Sequence, residues 1–218
     1  MDTSKRFEKG NGGCPPIQCA SNKEILCNSC AQGVGTAAHR VASRDVEPCL
    51  FGKGGTCCRI CNMGPCQVVE GVESMIGICG ADAATITARN FARIVAGGAA
   101  AHMDHGRGIA SGFLATAKGE TPYEIKDGIK LRETALRIGI DPAEKSKTDL
   151  AIEVGEKIVA EFGKQEGELL FLGRAPEPRQ EIWKKLGIAP RGIDREVVEL
   201  MHRTHMGVDQ DYQHILLG

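Results

Sequence analysis

Six of the ten cysteines fall between Cys49 and Cys79. Cys49 and Cys57 are separated by seven residues, and Cys58, Cys61, Cys66 and Cys79 follow as C-x2-C-x4-C-x12-C. Loops this short cannot hide each sulfur separately in a core, so the pattern reads as a metal site. Thiolate-only sets suit zinc or iron–sulfur clusters. Structural zinc usually takes two separated C-x2-C knuckles. Three ligands crowded together with a fourth further on are the habit of cubane ferredoxin-type binders. The spacing favours [4Fe–4S] and leaves zinc open. A disulfide framework is the third reading, but nothing at the amino terminus resembles a secretory signal. Glycines throughout the run let its backbone close around a compact centre with N–H groups turned toward sulfur. Pro65 stiffens the turn before Cys66.

The remaining cysteines, Cys14, Cys19, Cys27 and Cys30, form a C-x4-C-x7-C-x2-C set ahead of the main run. A third cluster, a zinc site, or two arm thiols plus a pair on one helical face all satisfy that spacing. The sequence leaves the choice open.

The segments CLFGKGGTCCRICNMGPC, GICGADAATITARNFARIVAGGAAAHMDHGRG and MHRTHMG resemble, in matching order, the amino-terminal part of the anaerobic nickel-containing carbon monoxide dehydrogenases. The resemblance covers about residues 40–218. It implies that Cys58, Cys61, Cys66 and Cys79 hold one [4Fe–4S] cluster within the chain. It also implies that Cys49 and Cys57 supply half of a second iron–sulfur cluster shared across a homodimer axis. The whole enzyme interconverts CO plus water with CO2, two protons and two electrons, and this segment relays electrons. A ferredoxin-like electron carrier and an acetyl-CoA synthase are the partners the resemblance implies. The ligands of the family's nickel–iron–sulfur centre lie outside these 218 residues, so the chain alone is expected to be inactive. The family continues through two α/β domains, and this chain reads as truncated at its carboxyl end. Two alternatives stand beside this reading. A hybrid-cluster (hydroxylamine reductase-type) protein has a shorter cysteine spacing and lacks the Cys49/Cys57 pair. A zinc-stabilised helical binding module has no redox role.

His102 and His105 lie three apart in AHMDHGRG and share a helical face. By resemblance they match the first two rungs of a histidine ladder that carries protons. Gly108 and Ser111 occupy the next two positions, so the relay is half carried over. His202 and His205 repeat the spacing in MHRTHMG but have no carboxylate or thiol at ligand distance, which points to a structural or interface role. His39 and His214 carry no signal.

A net charge of −1 and a pI near 6.6 predict no nucleic-acid or anionic-membrane affinity. No apolar run approaches the ~18 residues of a membrane span, and the expected location is cytoplasmic. No glycine pattern supports nucleotide binding. Gly is 28 of 218 residues, which favours close backbone approach over side-chain bulk.

The elements that must position these residues are helices. The expected fold is mainly α, a helical domain wrapped around the cysteine-rich loop, with residues 1–22 as a loose arm and 23–218 as the cluster-binding domain. Helices are expected over 22–46, over 82–94 with Asp82 as cap, and from about Ile109 to Lys118. The Gly97–Ala101 patch between them suits close helix contact. Further helices are expected over 127–138, from Asp141–Pro142 onward with an amphipathic stripe over 148–162, over 179–186 and 193–205, and from Asp209 to the end. Glu168–Leu172 reads as a strand or an extended crossing. Ile215–Leu217 reads as apolar and unsatisfied.

Overall fold

The computed structural model describes residues 20–42 and 47–218. Cys14, Cys19 and almost all of the expected arm lie outside them. The chain divides into two compact units, Met1–Cys49 and Leu50–Gly218.

In the first unit the expected single helix is two: α1 (Ala20–Ala31) and α2 (Ala37–Ala42). Gly33 adopts a φ of 69° after α1, a left-handed geometry that ends helices rather than weakening them.

The second unit is built on one rod. It opens with the short α3 (Leu50–Lys53) and a two-stranded antiparallel ribbon, β1 (Cys57–Cys58) and β2 (Cys66–Gln67). Then comes α4 (Ala83–Ala117), 35 residues long, or about 50 Å at 1.5 Å per residue. Two helices separated at Gly97 were expected here, but α4 runs straight through. The segment contains no proline, and each glycine costs a helix only ~1 kcal/mol against alanine. Nor does the glycine patch host a close contact: a Cβ added at Gly97 or Gly98 meets nothing within 4 Å.

The buried residues of α4 fall in three zones. Ile86 in its second turn packs with Val68 and Ala81 of the cysteine loop. Ala88, Ala92 and Ala96 pack with Leu200 of α8 (Arg195–Arg203) and Ile215 of α9 (Tyr212–Leu217). Ala117, at its end, joins the largest core with α5 (Gly128–Arg137) and α6 (Lys147–Val159), through Leu131, Ala135, Leu150, Ala151 and Val154. The close crossing that the glycine content implied is found at Gly155 of α6. A Cβ there stands 3.0 Å from Leu114 Cδ1 and 3.3 Å from Leu114 Cα, so only glycine lets α6 lie this near α4.

Asp127 and Ser146 cap α5 and α6 by accepting the N–H of Lys130 and Asp149. The start expected at Asp141 is a turn instead, in which Asp141 Oδ1 takes the Ala143 N–H. The Glu168–Leu172 run is no strand: it ends in a 3₁₀ turn, Leu172–Arg174, followed by α7 (Glu177–Leu186). At the far end Leu216 and Leu217 are half exposed, but Ile215 is buried against α4. The chain is mainly helical, as expected, and α4 joins the cysteine loop to helices α6, α8 and α9 of the second unit.

Candidate metal centre

The β1–β2 ribbon sets two of the four cysteines. Its register puts Cys58 directly opposite Cys66, and the connecting loop carries Cys61 between them. Gly64 is required in that loop. A Cβ there stands 3.0 Å from the Cys58 carbonyl and 3.1 Å from the Cys66 nitrogen, and the Gly64–Pro65 peptide is cis. The fourth cysteine, Cys79, lies in a turn closed by Gly80 N–H to Gly77 O (2.8 Å) and Gly77 N–H to Ala81 O (2.7 Å). One turn of chain thus folds back over the ribbon, and the Ile78 N–H donates to Cys66 Sγ at 3.4 Å.

Cys58, Cys61, Cys66 and Cys79 line one cavity, with Ile60, Ile78, Ile86, Arg89 and Met206 as further walls. Among the described residues, no three His, Cys, Asp or Glu meet closely enough to share one ion. Four soft thiolates, an apolar wall, a backbone N–H on sulfur and a buried cation form a donor set that fits an iron–sulfur cubane.

Three side chains that the sequence reading missed hold this pocket together. Arg89, in the second turn of α4, is wholly buried. Its Nη1 donates to Cys79 Sγ at 3.4 Å, its Nη2 donates to the Asp209 carbonyl, and its Nε–H has no partner. Asn90, the next residue, donates through Nδ2 to the carbonyls of Gly55 (2.8 Å) and Cys57 (3.0 Å) and so fixes the start of β1. Gln210 reaches from the other end of the chain, its Nε2 donating to the Cys79 carbonyl at 2.9 Å. The one sequence signal for Arg89 is an arginine placed on the apolar stripe of Ile86 and Ala92.

Burial pushes the Cys79 thiol up, but hydrogen bonds from Arg89, the Ala81 backbone and Gln210 outweigh it and bring it down to about 7. The same contacts favour the thiolate, the form that binds metal. The MHRTHMG segment also finds its role here. Arg93 donates to the buried Thr204 hydroxyl at 3.0 Å, and Arg203 pairs with Asp209 at 3.1 Å. Together they lead Met206 and Gln210 onto the pocket, while His202 and His205 stay exposed.

Cys57 is half-buried in β1 and Cys49 is exposed. They fall on opposite sides of the division between the two units. His102 and His105 are exposed on α4, and His102 Nδ1 lies 3.1 Å from the Gly98 carbonyl. His102 lies thirteen positions after Arg89, about 20 Å along the helix. Cys27 and Cys30 share one face of α1. Cys30 Sγ is 2.7 Å from His39 Nε2, while the Thr36 N–H donates to His39 Nδ1.

Residues 56–218 match the Prismane/CO dehydrogenase family. Carbon monoxide dehydrogenase 1 of Methanosarcina acetivorans is 50% identical over 190 residues, which is 85% of this chain and 30% of that protein. The carbon monoxide dehydrogenase/acetyl-CoA synthase subunit beta of Moorella thermoacetica is 41% identical over 194 residues, covering 86% of this chain and 28% of its own length. Among solved structures, the Ni-free carbon monoxide dehydrogenase of Thermococcus sp. AM4 superposes with a TM-score of 0.77 at 43% identity, over 89% of this chain and 31% of that one. An acetyl-CoA synthase/carbon monoxide dehydrogenase with NiZn[Fe4S4] and NiNi[Fe4S4] clusters in its alpha subunits also gives 0.77, at 35% identity, over 97% of this chain and 34% of that one. The chain thus spans about a third of the length of the relatives it matches.

Proposed function

The chain belongs to the Prismane/CO dehydrogenase family, and from that premise we propose that it is the amino-terminal, electron-relaying part of a carbon monoxide dehydrogenase. The observation that carries this reading is the pocket in which Cys58, Cys61, Cys66 and Cys79 surround one cavity. These four residues hold a [4Fe–4S] cluster within the chain. Cys49 and Cys57 of each of two copies hold a second cluster on a two-fold axis, so the assembly is an isologous homodimer. Bound cubanes take up and pass on single electrons.

The chain's own residues do the rest. The ribbon fixes Cys58 and Cys66, and the Ile78 N–H and Arg89 draw charge from two of the sulfurs. Ile60, Ile78 and Ile86 line the pocket beside the sulfurs. His102 and His105 begin a proton path along α4, with Ser111 or water completing it past Gly108. The nickel–iron–sulfur centre takes its ligands from outside these residues, since no cysteine follows Cys79. A cytoplasmic location, a ferredoxin-like electron carrier and an acetyl-CoA synthase partner belong to the same proposal. For the last, the name of the Moorella relative is the support.

The hybrid-cluster alternative shares the family description, but the relatives above are carbon monoxide dehydrogenases, and the Cys49/Cys57 pair argues against it. Iron and acid-labile sulfide analysis of anaerobically prepared protein tests the proposal. The expected result is one cubane per chain plus one centre per two chains, with Cys61→Ser losing the intrachain centre and much of its stability, because cluster binding and folding are coupled. Stoichiometric zinc without sulfide refutes it and restores the zinc-stabilised binding module.

A further inference from the structure

Arg89 is the one buried cation among the described residues. An arginine keeps its proton inside a protein, and a buried charge is tolerated only with a compensating partner. No carboxylate among the described residues supplies one: Arg89 takes part in none of the ion pairs. Its neighbours are the neutral carbonyl of Asp209, the sulfur of Cys79, and nothing at all at Nε. Yet its guanidinium faces the cavity that four cysteines line.

We propose that Arg89 is the counter-ion of the metal–thiolate centre held by Cys58, Cys61, Cys66 and Cys79, and that it sets how readily that centre accepts an electron. This rests on the cluster reading given above. The unpartnered Nε–H is explained in the same way, as a donor whose acceptor is a sulfur of the bound centre. A fixed positive charge in a low-dielectric pocket favours the more negative of two redox states, and an N–H held on a ligand sulfur acts in the same direction. Arg89 is thus a positioning and tuning residue, not a ligand. Its place in α4, between Ile86 and Ala92 on the buried face, leaves its side chain no route to solvent.

The same charge makes the pocket dependent on its contents. With the centre removed, the guanidinium keeps only the Cys79 sulfur and one backbone carbonyl as partners. Loss of the centre therefore destabilises the fold through Arg89 as well as through the cysteines.

The experiment uses the chain reconstituted anaerobically with iron and sulfide, as wild type, Arg89→Gln and Arg89→Lys. Each is titrated electrochemically, with the reduced centre followed by electron paramagnetic resonance, and melted with and without a chelator. In Arg89→Gln the reduction equilibrium is expected to fall at least tenfold, which is 59 mV for one electron, and Arg89→Lys to recover most of it. The drop in melting temperature on chelation is expected to be smaller in Arg89→Gln than in wild type. Failure of Arg89→Gln to load iron while Arg89→Lys loads it also supports a requirement for charge. A loaded Arg89→Gln protein whose equilibrium moves less than tenfold overturns the counter-ion alone. So does failure of both folded variants to load, since lysine keeps the charge. A wild type that binds no iron and sulfide overturns the cluster reading itself, and this inference with it.

Discussion

Gln210 donates its side-chain N–H to the backbone carbonyl of Cys79, 131 residues earlier in the chain. The contact is braced from a third side, because the Thr85 hydroxyl of α4 donates to the Gln210 carbonyl at 2.9 Å. Three separate stretches thus meet behind the last cysteine of the pocket. Gln210→Ala is expected to lower stability by about 1 kcal/mol, the usual worth of such a bond. Iron should leave the variant faster when a chelator is added, and the decay of visible absorbance measures that rate. An unchanged rate rules out a role for the latch in holding the pocket closed.

A centre bridged by Cys49 and Cys57 ties dimerisation to those two thiols. The double variant Cys49→Ser, Cys57→Ser is expected to dissociate at higher protein concentration than wild type and to keep the iron of the intrachain pocket. Sedimentation velocity with iron analysis on each fraction decides it. A variant that loses every cluster, or a wild type that is monomeric with both centres, is incompatible with bridging.

Acid should loosen α4 at its first turn. The backbone N–H of Thr85, together with the Thr85 side chain, holds the Asp82 carboxyl below its ordinary value. Its folded-state pKa is depressed, so its contribution is complete above the usual carboxylate range and is lost as pH falls through the folded value. Asp82→Ala is expected to cost about 1 kcal/mol at pH 7, the usual worth of an N-cap. The gap between variant and wild type should narrow below about pH 4. Urea denaturation at pH 7 and pH 3 reads both numbers, and a gap independent of pH excludes the ionised cap.

Counting ligands gives the last expectation. The 218-residue chain has no cysteine beyond Cys79, so its long helical portion offers sulfur only as thioether. Reconstituted with iron, sulfide and nickel, it is expected to show no CO oxidation with an artificial acceptor. In an enzyme carrying these residues together with the remaining two-thirds of its relatives' length, His105→Ala should slow turnover more than it alters iron content. Activity in the isolated chain means that its amino-terminal cysteines build a reactive centre.

That Cys58, Cys61 and Cys66 come together was legible because their spacing is local: all three lie within one tight loop. Helices α5 and α7 were legible for a similar reason, since the helical period of 127–138 and 179–186 is also local. The unity of α4 was not. Gly97 and Gly98 look like a break to any rule based on propensity, and what carries the helix past them is packing at Ala88–Ala96 on one side and Ala117 on the other. Nor was the pocket's support legible. Arg89 to Asp209 and Gln210 to Cys79 span 120 and 131 residues, and contacts that distant leave no signature in the spacing of either partner.

That distance also orders events during synthesis. A ribosome adding about 5–20 residues per second makes Cys79 roughly 7–26 s before Gln210, given the 131 residues between them. Through that interval all four thiols exist and the latch behind them does not. On the proposed cluster reading, metal and sulfide can reach the four thiols during this window before the latch forms. Slowing translation between these two points lengthens that interval without altering a single cysteine.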